Sequence, residues 1–542
     1  MFRIGVDFDN TIACYDHAFG EVALLMGLMK NEQVVSSKVN TKALILATPD
    51  GDFAWRRLQG KVYGKHMLLA EVFPGFYEFL CLTKLRGHDV FIVSHKSEFG
   101  HFDEEQVPLR EQALAWLAKN GFFQENGFLL ERQSVFFEST REGKIQQIRD
   151  LACTHFVDDL REVFEAPIFP TDVNKILFRP SPINISDSDV SCVSSWQELT
   201  SKLYGGWTET EIRDVVRVVF PDLGISHVEH RRGRGNSLVY KLTGNLASNF
   251  FLKIYPDRQL DSRPRLETEF ATCQELINHM YPVAIPVVAD KNLGWGIFKW
   301  VEGDSIGAPD EQFLNCAYEF IRRLYFDGRE SKAFEQFPEA SEACLSGSEV
   351  VRQIQQRIQK LLKVDSEALK KFLNQEFIPC FRVATRIAKD RAGQLFDVPL
   401  ERSLQMPSPS DFGSHNALRD ADGGVTFIDF EYFGWDDPVK LVSDFYWHPG
   451  MSLSDDLREE WIKNSLDLFK KDITYSQRLE AYLPIYGLRW CAIILNEYLK
   501  PLATSQLHED QLSQGFAEMR SKQLLKSKTL LQSVKELVNV DG

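Results

Sequence analysis

The sequence predicts two successive domains of different fold class, an α/β domain followed by an α+β domain. In the first part, short apolar runs typical of strands alternate with helix-like stretches, as in a parallel sheet covered by helices. From 225 to 300 the pattern is rich in strands, and from 308 onward it is mainly helical. The segment 180–210 is rich in Ser, Pro and Asp, so we expect a domain boundary there.

Three apolar runs, 3–8, 89–93 and 154–157, define the strands of the predicted parallel sheet. Helix-like stretches at 106–119 and 143–151 lie between them. Each run ends in polar residues that could take part in catalysis. Because ligands bind at the carboxyl ends of strands in open α/β sheets, we expect a functional site at this edge.

Length and composition exclude several classes of protein. A chain of 542 residues is too long for one hydrophobic core. Its net charge of −15 argues against a nucleic-acid partner, which calls for a basic face. The nine cysteines form no CxxC pair, so neither a disulfide framework nor a zinc site is expected. No signal peptide and no run of ~20 apolar residues is present, so we expect a cytoplasmic chain without a membrane partner. Its oligomeric state is not predictable from these features.

Two carboxylates, Asp7 and Asp9, end the first predicted strand in the motif DFDNT. Strand alternation would direct both to the same side. One carboxylate can attack phosphorus while the other transfers a proton to the leaving group. Ser94, after the second strand, can donate to a phosphate, and Lys144, at the start of a helix, can neutralise its charge.

Two further carboxylates, Asp158 and Asp159, end the third predicted strand. Carboxylate oxygens are the ligands that Mg²⁺ prefers. The four strand-end elements together therefore predict a magnesium-dependent phosphoryl-transfer site.

In this order, across about 200 residues, these elements resemble the haloacid dehalogenase-type phosphatase superfamily. The resemblance implies a Rossmann-like parallel sheet over 1–203 with a small helical cap at about 12–75. It also implies the following roles: Asp7 as the nucleophile that becomes phosphorylated, Asp9 as general acid/base, Thr11 and Ser94 as phosphate ligands, Lys144 as the balancing charge, and Asp7, Asp9, Asp158 and Asp159 around Mg²⁺.

A second set of phosphate-directed residues begins at 231. Gly233 and Gly235 lie in a predicted turn before a strand, where backbone N–H groups can approach phosphate oxygens. Lys253 lies in an apolar strand and needs a partner, for which Glu267 and Glu269 on the following helix are both suitable.

The strongest signal in this half is SDFGSHN at 410–416, followed by FIDFE at 427–431, in which Asp429 ends a predicted strand. Asp411, Asn416 and Asp429 together supply a carboxylate to orient an acceptor hydroxyl and oxygens to hold Mg²⁺ across phosphates. Both sets of residues therefore predict a second phosphoryl-transfer site.

This half resembles the aminoglycoside phosphotransferase and choline kinase-like family, which has a two-lobed protein-kinase-like fold. The resemblance implies a domain over 204–542, with an N-lobe at about 225–300 and a C-lobe at about 304–542. It also implies ATP contacts from Gly233, Gly235, Lys253, Glu269 and Glu302, the last within a hinge at 298–303, Asp411 as the catalytic base, and Asn416 and Asp429 as Mg²⁺ ligands. Pro409 departs from the family, which usually has His two residues before the base.

We therefore expect a bifunctional enzyme: an ATP-dependent kinase of a sugar or amino alcohol hydroxyl fused to a Mg²⁺-dependent phosphomonoesterase. One alternative is a single active domain with the other acting as a ligand sensor or scaffold. Another is a binding protein that has kept both folds without their activities.

Overall fold

The computed structural model describes residues 1–30, 37–123, 130–180, 189–231, 237–245, 248–256, 258, 261–499 and 509–538 of the chain. These residues form two compact units. Unit 1 comprises Met1–Arg263 and Val288–Ile297, and unit 2 comprises Pro264–Val287 and Phe298–Gly542. The domain boundary that the sequence predicts between 203 and 204 differs from the boundary between these units and stays a prediction.

The strands up to residue 299 are β1 (Arg3–Val6), β2 (Ala13–Cys14), β3 (Glu71–Val72), β4 (Asp89–His95), β5 (Val135–Glu138), β6 (His155–Asp158), β7 (Asn174–Phe178), β8 (Ser191–Val193), β9 (His227–Arg231), β10 (Leu238–Thr243), β11 (Asn249–Ile254), β12 (Pro286–Asp290) and β13 (Trp295–Lys299). The helices of unit 1 are α1 (Asp16–Leu25), α2 (Lys38–Leu46), α3 (Gly51–Tyr63), α4 (Phe76–Leu85), α5 (Leu109–Lys119), α6 (Arg141–Asp150), α7 (Arg161–Phe164), α8 (Trp196–Tyr204) and α9 (Glu209–Val219).

The predicted parallel sheet is confirmed, with the strand order β5-β4-β1-β6-β7-β8. β1 is central and pairs in parallel with β4 and β6, which sets Val6 opposite both Ile92 and Val157. Apolar β-branched residues such as Val6 and Ile92 are fully buried, as expected for a sheet covered on both faces. This register brings the ends of the three predicted strands to one edge.

The predicted strand 3–8 is too long, because β1 ends at Val6. Asp7 and Asp9 therefore lie in the turn that follows, in which the backbone N–H groups of Ile12 and Ala13 both donate to Phe8 O. Strand alternation does not orient these carboxylates as predicted; the turn does. Asn10 in this turn has a left-handed φ of 58°.

The helices α1, α2 and α3 and the β2–β3 pair occupy the segment in which the sequence predicts a cap. Phe19 of α1 stacks on Trp55 of α3 with ring centroids 4.9 Å apart, and both side chains are buried. Aromatic pairs of this kind bury large apolar areas, so they hold the two helices together.

Unit 1 also contains β9, β10 and β11, which pair antiparallel in a five-stranded sheet with the order β12-β13-β11-β10-β9. Lys253 of β11 is paired in register with Val239 of β10. α9 precedes this sheet and begins with a capping box between Thr208 and Glu211. The prediction of a strand-rich segment from 225 to 300 is confirmed.

The helices of unit 2 are α10 (Arg265–Asn278), α11 (Glu311–Glu330), α12 (Lys332–Glu335), α13 (Gly347–Leu362), α14 (Glu367–Phe372), α15 (Ile378–Ala392), α16 (Pro438–Trp447), α17 (Asp455–Leu468), α18 (Tyr475–Ile494) and α19 (Glu509–Leu537). Its short strands are β14 (Asp304–Ser305), β15 (Met406–Ser408), β16 (Ala417–Arg419), β17 (Val425–Phe427) and β18 (Gly434–Asp436). The mainly helical prediction from 308 onward is confirmed. Within the described ranges, no helix combines the length and hydropathy needed to cross a bilayer.

Candidate functional site

The residues at the end of β1 and β6 form a buried ionic cluster in unit 1. Lys144 Nζ donates to Asp7 Oδ1 at 2.5 Å and to Asp158 Oδ2 at 2.7 Å. Lys144 lies in the first turn of α6, which Thr140 caps by accepting a hydrogen bond from Gly143 N. All three charged side chains are almost completely buried. The structure thus brings together the predicted nucleophile, the balancing lysine and a predicted metal ligand.

Asp159 completes a cluster of three carboxylates that fits a divalent cation. One oxygen each of Asp7, Asp158 and Asp159 lies within 4.8 Å of the others. Burial, together with the nearby Asp7 and Asp158 carboxylates, raises the pKa of Asp159 to about 8. Burial likewise raises the pKa of Asp7 to about 6, against the lowering effect of Lys144. Such crowding of hard oxygen ligands suits Mg²⁺, which would relieve it.

Asp9 lies in a second ion pair beside this cluster. Lys96 Nζ contacts both Asp9 carboxylate oxygens at 2.9 Å, and the Tyr15 hydroxyl donates to Asp9 Oδ1. Lys96 itself is buried and lies over the Phe8 ring at 5.1 Å. The carboxylate predicted to act as the general acid/base is therefore held by groups from outside its motif.

The predicted phosphate ligands Thr11 and Ser94 are both buried. Among the described residues, Thr11 Oγ1 has no hydrogen-bond partner. A buried hydroxyl without a partner is costly, and a phosphate oxygen would supply one. Ser94 lies within β4 rather than after it, in register with Phe137 of β5.

A third lysine approaches this edge from the cap. Lys38, the first residue of α2, donates from Nζ to Asn10 Oδ1 at 2.8 Å and to Tyr63 OH at 3.0 Å. Tyr63 ends α3 and packs edge-on against Tyr15 at a centroid distance of 4.8 Å. Cap residues thus line the same edge as the motif DFDNT.

In unit 2, Asp411 lies in a tight turn after β15. Ser410 has a left-handed φ of 64°, and its side chain donates to Tyr432 O at 3.2 Å. Asn416 Nδ2 donates to the backbone oxygen of Asp411 at 3.0 Å. The predicted base and a predicted metal ligand are therefore joined in one loop.

A stacked histidine pair faces the Asp411 carboxylate. His415 Nε2 lies 2.9 Å from Asp411 Oδ1, and His448 Nε2 lies 3.7 Å from the same oxygen. The two imidazole rings are parallel, with centroids 3.8 Å apart. Burial lowers the pKa of His448 to about 3, so this ring is neutral at pH 7. Burial alone would raise the pKa of Asp411, but the hydrogen bond with His415 outweighs it and the value falls to about 2.

Asp429 belongs to a separate acidic cluster in unit 2. The predicted strand before it is too long, because β17 ends at Phe427 and Asp429 follows in a left-handed turn with φ 71°. One oxygen each of Asp429, Glu269 and Glu431 lies within 4.8 Å of the others. Arg265 forms an ion pair with Glu431. This cluster offers oxygen ligands to a cation, as the sequence predicts for Asp429.

The remaining predicted nucleotide contacts have mixed outcomes. Lys253 is buried in β11, and its Nζ lies 4.9 Å from the centre of the Tyr255 ring. Gly233 and Gly235 lie outside the described residues. Glu302 is exposed, after the buried Phe298 of the predicted hinge. The nucleotide roles of these residues, and the pairing of Lys253 with Glu269, stay predictions.

The sequence motifs did not identify a role for Lys96, Lys38, Tyr63, His415 or His448. Lys96 had a local signal, because it lies two residues after Ser94 at the end of a strand and so faces the same side. Lys38 and Tyr63 come from the cap and His448 from beyond α16, so only the tertiary fold brings them to these sites.

Comparison with protein-family models and with curated proteins gives no match. Solved structures with a similar fold include the choline kinase LicA from Streptococcus pneumoniae, which is 12% identical, covers 60% of this chain and 98% of its own, and has a TM-score of 0.40. An ethanolamine kinase from Plasmodium vivax is 14% identical, with coverages of 62% and 95% and a TM-score of 0.41. A spectinomycin phosphotransferase solved with ADP and spectinomycin is 12% identical, with coverages of 60% and 99% and a TM-score of 0.39. A likeness at these values does not define a family for the chain.

Proposed function

We propose that the chain is a bifunctional phosphoryl-transfer enzyme. Its N-terminal part is a haloacid dehalogenase-type phosphomonoesterase, and its C-terminal part is a kinase of the aminoglycoside phosphotransferase type that uses ATP to phosphorylate a sugar or amino alcohol hydroxyl. The observation that carries the proposal is the buried Asp7–Lys144–Asp158 ion cluster at the strand ends. Burying several charges is costly, and perturbed carboxylates in such a place are typical of functional sites.

In the proposed phosphatase reaction, an Asp7 oxygen attacks the phosphorus of a monoester. The ester oxygen leaves with a proton from Asp9, and Lys96 stabilises the Asp9 carboxylate that results. Water, deprotonated by Asp9, then attacks the aspartyl-phosphate and releases inorganic phosphate. Thr11 and Ser94 donate to the phosphoryl oxygens, and Lys144 offsets the charge around Asp7.

Asp7, Asp158 and Asp159 would hold the Mg²⁺ ion, whose positive charge lets a phosphate dianion approach a carboxylate nucleophile. The backbone carbonyl of Asp9 stays a predicted additional ligand. The carboxylates of Asp7, Asp158 and Asp159 suit this cation because they present hard oxygen donors and are otherwise neutralised only in part by Lys144.

In the proposed kinase reaction, Asp411 orients the acceptor hydroxyl and accepts its proton as that oxygen attacks the terminal phosphoryl group of ATP. The hydrogen bond from His415 keeps the Asp411 carboxylate ionised and in one orientation. Asn416 and Asp429 would hold Mg²⁺ on the nucleotide phosphates. The acidic side chains around Asp429 supply oxygen ligands that suit this cation.

The fusion of a kinase with a phosphatase has a chemical rationale. Phosphorylation of one hydroxyl followed by hydrolysis of an ester at another position relocates a phosphate. Tethering both activities raises the effective concentration of the intermediate at the second site. If both domains acted on the same position, the result would only be ATP hydrolysis, so we expect distinct positions.

The two activities can be tested separately. With Mg²⁺ and a chromogenic phosphomonoester, we expect wild-type hydrolysis and a loss of at least about a thousandfold in Asp7→Asn, because the nucleophile is removed. With ATP, we expect binding that strengthens with Mg²⁺ and weakens in Asp429→Asn. Absence of ester hydrolysis would remove the phosphatase from the proposal, and absence of metal-dependent ATP binding would remove the kinase.

A further inference from the structure

The cap lysine Lys38 differs from the other lysines of the phosphatase site in the groups that surround it. Lys144 forms ion pairs with Asp7 and Asp158, and Lys96 forms an ion pair with Asp9. Lys38 Nζ instead donates to an amide oxygen, Asn10 Oδ1, and to the Tyr63 hydroxyl. Within the described ranges, no carboxylate lies at ion-pair distance from it, and the charges of Asp159 and Asp9 act on it from farther away.

The surroundings of Lys38 also limit its contact with water. Its Nζ lies 5.3 Å from the centre of the Phe19 ring and 5.7 Å from that of the Tyr63 ring. Ring faces and neutral oxygens hold an ammonium group in place without neutralising its charge. A cation held in this way gains most from an anion that arrives with the ligand.

The position of Lys38 shows which part of a substrate it could meet. Asn10 is the residue after Asp9, and Asp9 is the group that would protonate the leaving oxygen. Lys38 and Tyr63 both belong to the predicted cap segment, so in the proposed phosphatase they would lie beside the leaving group rather than at Asp7. A group bound there would belong to the part of the substrate that leaves with the ester oxygen.

We propose that Lys38 and Tyr63 bind a second anionic group of the substrate, so the site takes small phosphate esters that also carry a carboxylate or another phosphate. This inference rests on the proposed phosphatase and names its substrate class. It also fits the proposed coupling, because a kinase acting on a metabolite that already carries a phosphate makes a bisphosphate.

Three two-carbon esters of matched size test the inference: ethylene glycol monophosphate, 2-phosphoglycolate and ethylene glycol diphosphate. They present a hydroxyl, a carboxylate or a second phosphate at the same distance from the scissile ester. We expect wild type to prefer one or both anionic esters over the hydroxyl ester. Lys38→Met should lower kcat/KM for the preferred anionic ester by tenfold to a hundredfold, the range for loss of a charge-assisted hydrogen bond, and change the hydroxyl ester by less than about twofold.

Two variants serve as controls. Lys42→Met removes a lysine one turn further along α2, whose Nζ lies 5.7 Å from the centre of the Trp55 ring, and it should leave all three esters unchanged. Lys38→Arg should keep part of the anionic preference, because it retains the charge. The carboxylate and diphosphate arms distinguish which second anion the site accepts.

Binding provides a readout that does not depend on turnover. Calorimetry on Asp7→Asn and on the double variant Asp7→Asn/Lys38→Met, both with Mg²⁺, should show at least tenfold weaker binding of the preferred anionic ester by the double variant. Equal binding by the two proteins, or binding by neither, overturns the inference whatever the rates. If wild type hydrolyses no ester but calorimetry shows the expected difference, the proposed phosphatase fails and the anion site stands.

Discussion

At the scale of single residues, Lys96 sets the environment of Asp9. Its ammonium contacts both oxygens of that carboxylate, and the Tyr15 hydroxyl reaches one of them. A proton donor must be aligned with the leaving group, and a carboxylate held from two sides has little freedom to turn. In the proposed phosphatase reaction, the lysine would therefore orient Asp9 and stabilise the carboxylate that proton transfer leaves.

Lys96→Met should lower kcat for a chromogenic phosphomonoester by about a hundredfold, because aligned general acid–base catalysis is worth at least that much. KM should change by less than about threefold, since Lys96 contacts Asp9 and not the predicted phosphate ligands. Steady-state kinetics of Lys96→Met beside Ser97→Ala, an exposed neighbour, gives the comparison. A fall in kcat/KM that comes from KM alone would contradict this role.

Asp159 should make the proposed magnesium binding dependent on pH. Its pKa is raised to about 8 in the folded chain, so below that pH it carries a proton in the absence of metal. Because the folded chain holds this proton more tightly than the unfolded chain does, the proton adds to the free energy of unfolding. This addition is complete below the pKa that Asp159 has in the unfolded chain, and it is lost as the pH rises from there towards 8. Mg²⁺ needs the ionised carboxylate, so its binding must displace the proton at pH 6 but not at pH 9.

We therefore expect Mg²⁺ to raise the melting temperature more at pH 9 than at pH 6, and EDTA to reverse the effect at both. Asp159→Asn should reduce the difference between the two pH values. Thermal unfolding of wild type and variant, with and without metal, measures this. An equal Mg²⁺ shift at both pH values in wild type would show that Asp159 does not titrate as described.

His415 is the residue whose loss should affect Asp411 most directly. Its Nε2 lies 2.9 Å from Asp411 Oδ1, and its Nδ1 is buried and has no partner among the described residues. His415→Leu should slow ATP-dependent phosphorylation tenfold to a hundredfold, because Asp411 loses its donor. His415→Gln should recover part of the rate, and His279→Leu, a control at the end of α10, should retain it. Equal losses in the Leu and Gln variants of His415 would indicate a packing role only.

At the scale of elements, the cap helix α3 depends on a close backbone contact. A Cβ at Gly100, in the loop after β4, would lie 2.6 Å from Gly60 Cα of α3. Neither backbone can move without shifting its element. The loop and the helix are therefore in contact because both positions lack a side chain.

Gly100→Ala should destabilise unit 1 by about 1–3 kcal/mol, the usual cost of overpacking, and lower phosphatase activity by moving the cap. Gly307→Ala is the matched control, because a Cβ there meets no atom within 4 Å. Chemical denaturation and ester hydrolysis should be measured on both variants. Wild-type stability in Gly100→Ala would mean that α3 accommodates the methyl group.

Elements of regular pattern could be predicted from the sequence, and their ends could not. The runs that correspond to β4 and β6 can be recognised because apolar residues follow one another in them, as in a sheet covered on both faces. The ends of β1 and β17 were placed too late, because apolar residues continue into the turns after them. Those turns are left-handed at Asn10 and Asp429, a conformation that neither residue type requires.

At the scale of the whole molecule, the charged motif residues could be predicted and their supporting residues could not. Asp7, Lys144 and Asp158 stand in motifs at strand ends, where the parallel topology brings them together. Lys38, Tyr63 and His448 stand in segments without a motif, and their roles depend on how helices pack. The parallel sheet could also be predicted, because the succession of strands and helices along the chain is visible in local sequence patterns.

The most direct test of the bifunctional proposal is a metabolite assay by mass spectrometry. Wild type, Asp7→Asn and Asp411→Asn would each be incubated with MgATP and a cytoplasmic metabolite extract. We expect one new phosphate ester that accumulates with Asp7→Asn, is lower with wild type and is absent with Asp411→Asn. If no new phosphate ester forms in any of the three, the coupled kinase and phosphatase are contradicted.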